Sequence, residues 1–495
     1  MANLSCGGLT GTSLDMCLVL NEVPFSCPNN SFFIQPNGTS PYCVQYASPW
    51  AKTAALQGMD AVLDTGNTAF MLGATALVMI MTPGVGLFYA GLAGVEVAAN
   101  TMLMSVASMC IVSIQWFLVG YSFAFGPGSL GFGSFYYALL LTVGGAPSAV
   151  YGIGIPHILY CVFQCMFAMI TPALISGSVV GRMKFTSWCI FVTIWTTFVY
   201  DAIAHWFWSA EVYDDFTYGP AGWLGVMGVL DFAGGSVIHI SSGFAGLAAA
   251  IVLGKRVNHH EKPKPHNVPL VMLGATLLWF GWFGFNAGSA TGIAALNGRD
   301  MPNNLIATNA FMNTHLACAT AALSWTLTEK FHTGSYSATG VASGIVAGLV
   351  AITPGCGYVM GYAAFLFGLV VSPVCYFTIV FMKKIAAVDD TLDSFALHGI
   401  GGIVGGWMTG LFAAPDVNSY SGGFYYNGRQ FGVNVLGTIV SASYSFVCTI
   451  IIMLALKYTI GVRIEEDRER EGIDLSEHGA KTFKETEKIV DDIDT

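Results

Sequence analysis

Charge is what this sequence has least of. Of its 495 residues only 10% are Asp, Glu, Lys or Arg, while 54% are hydrophobic. A soluble domain carries roughly a quarter charged residues, so this supply cannot cover a water-soluble fold of such length. No basic patch is present either. The net charge is −10 and the acids gather beyond residue 460, which leaves nothing to hold a nucleic-acid backbone. No basic segment followed by an apolar run opens the chain, so no cleavable signal peptide is expected. Nothing suggests covalent catalysis, and no enzyme activity, cofactor or metal is expected.

What is abundant is apolar sequence in runs of about 20 residues or more, each long enough to cross roughly 30 Å of hydrocarbon. Eleven spans are predicted, near 66–91, 97–124, 155–181, 186–209, 229–254, 267–290, 303–328, 336–353, 357–382, 394–413 and 430–460. The fold expected is therefore an all-α polytopic membrane protein. Three parts are read along it: an N-terminal segment over 1–60, a membrane domain over 61–460 and a polar tail over 461–495.

An odd number of spans places the termini on opposite sides, and the basic residues choose between the two orientations. With the N-terminus outside, inner loops hold Arg182, Lys184, Lys255, Arg256, Lys262, Lys264, Lys330, Lys383 and Lys384. Outer segments hold Lys52, Arg299 and Arg429. The excess lies inside, as the positive-inside rule requires. The first segment agrees: it holds Cys6, Cys17, Cys27 and Cys43 with sequons at Asn3, Asn29 and Asn37. Disulfides and glycosylation at these positions would suit an extracellular or lumenal face.

Ionisable groups inside spans are costly and are treated as functional by default. The fifth span contains "DFAGGSVIHISSGFAGL" and the tenth "DSFALHGIGGIVGG". Each opens on an acid, Asp231 or Asp393, reaches a histidine, His239 or His398, and continues into glycine. Five spans separate them, so the halves would run in opposite senses, as in inverted repeats around a mid-membrane pathway. Neutral imidazoles both donate and accept, so the pair could exchange protons with a passing solute. A haem between them would need room that glycine-rich, closely packed helices do not leave. Asp231 is expected to cap the free N–H groups of its helix and to favour an arriving cation. Helical spacing sets it about 12 Å along the axis from His239. The phenylalanines of "FQCMFAMITPA" and "WFGWFGFNAGSA" could meet between the third and sixth spans, where their ring faces would attract a small cation.

Together "FQCMFA", "YDAIAHWFWS", "DFAGGSVIH", "WFGFNAGSA", "TPGCGYV", "VDDTLDSFALHGIGGIVGG" and "EREGIDLSEHG" resemble the ammonium transporter (Amt/Mep/Rh) family, from about Thr65 to Phe483, and more the Amt/Mep than the Rh branch. The resemblance implies two inverted five-helix repeats plus a long last helix, assembled as a homotrimer with one pore per subunit. It implies twin pore histidines at His239 and His398, and a phenylalanine gate of Phe167 and Phe285. An ammonium recruitment site would comprise Trp208, Ser289 and Phe167, with Asp231 beside it; Phe163 and Gln164 fall in the same pattern. It implies a cytoplasmic tail docked on the neighbouring subunit, with Ser476 where some plant relatives carry a phosphorylated threonine, so a kinase is an expected partner. The function implied is passage of ammonium or methylammonium across the plasma membrane of a eukaryote. An ammonium sensor of the same fold, a neutral gas channel for ammonia or carbon dioxide, and a membrane redox enzyme are the alternatives.

Overall fold

The computed structural model describes residues 63–479 apart from 149, 153, 213–217, 258, 260–264, 293–302 and 386–387, together with three short strands before them. Strands β1 (Met16–Val19), β2 (Ser31–Ile34) and β3 (Tyr42–Tyr46) form an antiparallel sheet in the order β1-β3-β2. Cys17 pairs in register with Gln45, and Cys43 with Val19. The sequons at Asn3, Asn29 and Asn37, like Cys6 and Cys27, lie outside the described residues.

Eleven long helices follow. They are α1 (Thr65–Leu92), α2 (Val95–Phe125), α3 (His157–Ser178), α4 (Phe185–Trp208), α5 (Gly235–Leu253), α6 (Val268–Gly288), α7 (Asn303–Thr333), α8 (Ala338–Ile352), α9 (Gly361–Met382), α10 (Phe395–Phe412) and α11 (Gly428–Thr459). Among the described residues, nine are long and apolar enough to span a bilayer; α7 is long but more polar, and α8 is apolar but has only 15 residues. Side-chain caps fix several starts, with the Asp64 carboxylate accepting from Asn67 N–H at 2.6 Å and Ser337 Oγ from Gly340 N–H at 2.9 Å.

The helices of the first five and the second five pack as two sets, with α11 alongside. The most extensive helix contact joins α1 to α6, the first members of each set. Small residues permit it. A Cβ on Gly274 would stand 2.4 Å from the Phe88 backbone nitrogen, and one on Gly284 2.6 Å from the Ala74 carbonyl. Lipid gives apolar helices no reason to associate, so such close backbone approach supplies the dispersion contact instead. The fifth members, α5 and α10, cross where a Cβ on Gly243 would lie 2.2 Å from the Gly399 nitrogen.

Two predicted boundaries shift for a local reason. The fifth span was expected from residue 229, but its helix begins at Gly235. The backbone turns at Gly234, whose φ of +113° is open to glycine and strained for any other residue. The seventh runs on to Thr333, five residues beyond the expected 328.

The described part of the tail holds two short helices, α12 (Glu466–Glu471) and α13 (Ile473–Ser476). It meets the loops that follow α3 and α5 and the start of α2. Lys184 N–H donates to Val462 O at 2.9 Å, and Val257 N–H donates to the Glu469 carboxylate at 2.7 Å. The loops after α3 and α5 hold Arg182, Lys184, Lys255 and Arg256, four of the basic residues counted above as inner.

Candidate functional site: a buried aromatic file and paired histidines

Both histidines sit in the first turns of helices that begin mid-bundle, and both turns are widened to π geometry, over Gly235–Ile240 and Phe395–Ile400. A π turn inserts one residue per turn and commonly marks a functional position, because it rotates a side chain out of the regular ladder. Here it aims both imidazoles at one place. His239 and His398, 159 residues apart, lie with Nδ1 atoms 3.3 Å from each other and rings 5.4 Å apart at 20°. Both are buried, at 1% and 2% exposure. One Nδ1 donates and the other accepts, so the contact fixes complementary tautomers when both rings are neutral. Among the described residues the Nε2 of His239 has no partner, which leaves a polar atom facing the cavity between the rings.

Above His239, away from the tail, aromatic rings form a continuous file. Its ring stacks on Trp282 at 5.3 Å and lies 6.1 Å from Phe285. Phe285 on α6 meets Phe167 on α3 at 4.3 Å and 39°. Phe167 in turn takes the edge of Trp208, at 6.1 Å and 86°, and touches Phe163 at 4.8 Å. The two phenylalanines are almost fully buried. Below the rings a narrow cavity of about 10 Å³ is lined by both histidines, Trp282 and Tyr89, with Val85, Ile170 and Leu278 among its apolar walls. That is about the space one water-sized molecule occupies.

Asp231 ends the file. Its carboxylate accepts from four successive N–H groups, Gly234 at 3.0 Å, Gly235 at 2.6 Å, Ser236 at 2.7 Å and Val237 at 3.1 Å. Its carbonyl accepts from the Trp208 indole at 2.9 Å. One residue therefore satisfies the orphan donors of α5 and orients the outermost ring. Ser289 is also buried, but its hydroxyl donates to Phe285 O of its own helix at 2.9 Å. The expected companions thus come together: His239 with His398, and Trp208, Phe167 and Phe285 in contact, with Ser289 one turn beyond Phe285.

The symmetry was assigned one acid wrongly. The counterpart of Asp231 is Asp390, not Asp393. Asp390 lies eight residues before His398, as Asp231 does before His239, and its carboxylate accepts from Phe395 N–H at 2.8 Å and from Ser178 Oγ at 2.7 Å. Asp393 instead pairs with Lys383 at 3.1 Å. The equal spacing was the signal in the sequence. Burial, with Asp393 beside it, pushes the Asp390 carboxyl up to about 6 against the pull of Ser178, Phe395 and Arg182.

Asp390 stands in a polar junction. Buried Arg182 donates to Thr391 Oγ1 at 2.7 Å and to the carbonyls of Gly254, Ser178 and Asp389 at 2.9, 2.9 and 2.6 Å. Arg256 grips the Asp389 carboxylate with two bonds of 2.8 and 2.9 Å. Arg463 of the tail bonds Glu469 at 2.7 Å and Leu253 O at 3.2 Å. Farther along, Asp474 caps α2 through Ala99 and Asn100 N–H at 2.9 and 2.7 Å, and His478 Nε2 lies 2.9 Å from Asn100 Oδ1. Ser476 is half-buried and donates to Arg468 O at 3.1 Å. The described tail thus closes on loops and a helix start of its own chain.

Among the described residues, eleven largely apolar helices around a buried aromatic file that ends on paired imidazoles define an integral membrane protein. The chain belongs to the Ammonium Transporter Family, which matches residues 69–483. An ammonium transporter of Aquifex aeolicus is 45% identical over 427 residues, covering 86% of this chain and 95% of that protein. Ammonium transporter 1 of Schizosaccharomyces pombe is 42% identical, covering 85% and 82%. The crystal structure of Candida albicans Mep2 superposes with a TM-score of 0.72 at 37% identity, covering 83% and 88%. A structure titled Sensor Amt Protein superposes at 0.73 with 27% identity, covering 83% and 98%.

Proposed function

We propose that this chain transports ammonium electrogenically, receiving the ion at Trp208, Phe167 and Ser289, and passing ammonia and a proton separately along His239 and His398. The observation that carries this reading is the continuous contact from Trp208 through Phe167 and Phe285 to the paired histidines. At the outer end the ring faces, with cation–π terms of roughly 0.5–2 kcal/mol each, offset part of the lost hydration. Beyond Phe285 the walls are apolar, and carrying an intact ion among them would cost far more than those terms return. Ammonium can shed its proton there; potassium, of similar size and charge, cannot. The imidazole pair offers the departing proton an acceptor and the neutral molecule a hydrogen-bond partner. The stacked phenylalanines act as the gate and Asp231 holds the recruitment ring in place.

In the same reading the N-terminal segment lies outside the plasma membrane of a eukaryotic cell, with Asn3, Asn29 and Asn37 available for glycosylation and Cys6, Cys17, Cys27 and Cys43 for disulfides. The tail lies in the cytoplasm, and three chains assemble with one pore each. Phosphorylation of Ser476 by a kinase would place close to two negative charges beside Glu477 and inside the α12–α13 turn, undocking the tail. A sensor role is the second reading, favoured by the fold shared with the Sensor Amt Protein.

The test replaces His398 with leucine and measures current and methylammonium uptake together. The expected result is loss of transport or loss of ammonium-over-potassium discrimination. Unchanged current with unchanged selectivity would overturn the relay. A wild-type chain that reaches the membrane and moves no substrate would favour the sensor.

A further inference from the structure

Four stretches of π geometry occur among the described residues, and two are accounted for by the pore histidines. The others, Trp116–Gly120 in α2 and Thr196–Tyr200 in α4, lie against each other away from the pore. Between them stands Asp201, wholly buried in the middle of a span, with no ion pair among the described residues. Among the described residues its carboxylate has one hydrogen-bond partner, Gln115, whose Nε2 donates to Oδ2 at 2.8 Å and also to Thr197 Oγ1 at 3.1 Å.

Two acceptors are left over. Asp201 Oδ1 and Gln115 Oε1 are both buried without a partner. An ionised carboxylate in such a place would carry an uncompensated charge inside the bilayer and strand both oxygens. The hydroxyls of Thr196 and Tyr200, in the turn that precedes it, are likewise buried without a partner among the described residues. A proton on the carboxyl changes three things together. It removes the charge, turns one orphan oxygen into a donor and gives the other a donor to accept from. The product is the cyclic acid–amide pair, with N–H donating to the acid carbonyl and the acid O–H donating to the amide carbonyl. Gln115 is also held from behind, because a Cβ on Gly120 would come within 2.4 Å of Oε1.

We infer that Asp201 is a neutral carboxylic acid clasping Gln115, and that this clasp is a positioning element for the recruitment ring on the same helix. Trp208 lies seven residues on from Asp201, two turns along α4 and on the same face. The outer half of α4 is further tied to the end of α2 through His205, whose ring nitrogens lie 3.0 and 2.8 Å from the carbonyls of Ala124 and Ser129. Together the two links fix the stretch that presents Trp208 to Phe167. This assignment rests on the proposed recruitment role of Trp208 for its consequence, but the protonation of Asp201 does not.

The experiment therefore reads the two parts separately in the purified full-length protein. Infrared spectra of wild type and Asp201→Asn at neutral pH should differ by a protonated-acid carbonyl stretch present only in wild type. Absence of that band, with a carboxylate band lost instead, would overturn the neutral clasp. For transport, Asp201→Asn keeps a donor and an acceptor in the same shape and should retain methylammonium uptake within about twofold. Asp201→Leu and Gly120→Ala, which break the clasp from opposite sides, should raise the half-saturation concentration several-fold, with maximal uptake per folded protein falling less. Loss of uptake in Asp201→Asn with correct folding would show that the charge itself is used and would overturn the assignment. If the infrared band is present but Asp201→Leu and Gly120→Ala bind and transport normally, the positioning role is wrong and the clasp is only a helix contact. If a folded Trp208→Leu variant transports normally, it is the recruitment reading that fails.

Discussion

The two histidine-bearing turns begin from the same plan and end in different surroundings. Each has an aspartate eight residues before its histidine and a π turn between them. Asp231 spends its whole carboxylate on four N–H groups of its own turn. Asp390 gives one oxygen to Phe395 N–H and the other to Ser178, a residue from a different helix. Around Asp231 there is little else but rings. Around Asp390 are Arg182, Asp389 and Arg256, and through Glu469 the tail. The first turn is built as a self-contained rigid mount, and the second is wired to the loops that meet the tail. A mirrored backbone can thus hold one end by its own turn and the other through its neighbours.

The largest difference between the turns should follow from removing the caps. Asp231→Ala strands four buried donors and loosens the turn whose carbonyl holds the Trp208 indole, a loss on the order of 3 kcal/mol, seen as a drop in the detergent-solubilised melting temperature with methylammonium uptake abolished. Next, Ser476→Asp should cut uptake several-fold by prying α13 from Arg468 while leaving the melting temperature of the membrane domain nearly unchanged; transport like wild type would break the link between the second turn and the tail. Arg256→Met, which leaves Asp389 half-buried without its two-bond partner, should cost about 1–2 kcal/mol and lower maximal uptake rather than affinity.

The smallest effect is a slope. The folded Asp390 carboxyl sits near 6 against an ordinary value near 3.9 unfolded, so between about pH 4 and 6 the folded chain holds a proton that the unfolded one releases. The stability from this group is complete below that window and is lost as pH rises through it. Asp390→Asn should flatten that part of the melting profile.

Much of this was legible because the bilayer punishes ambiguity. Apolar runs gave the helices, and rare intramembrane polar groups marked His239, His398 and Asp231. The pairing of Phe167 with Phe285 followed from the resemblance, and the two rings meet at 4.3 Å, tilted by 39°. What stayed hidden depends on register rather than residue type. "VDDTLDSF" offers three acids, and proximity to the histidine pointed to Asp393, while only the eight-residue spacing set by the π turn points to Asp390. Asp201 stood in plain view inside "YDAIAHWFWS", but its partner lies 86 residues earlier and the sequence carries no sign of that pairing. The tail's own contacts with Val257 and Asn100 were equally out of reach, since side-chain hydrogen bonds between distant loops leave no periodic trace.

The central claim is that the aromatic file and the paired imidazoles split ammonium rather than pass it whole or pass only ammonia. Simultaneous current and radiolabelled methylammonium uptake in cells carrying the protein, followed across pH, tests it most directly. One positive charge should accompany each molecule taken up in the wild type, with potassium carrying no current, and His398→Leu should lose either the flux or the discrimination. Uptake without current would make the chain a gas channel and contradict the account.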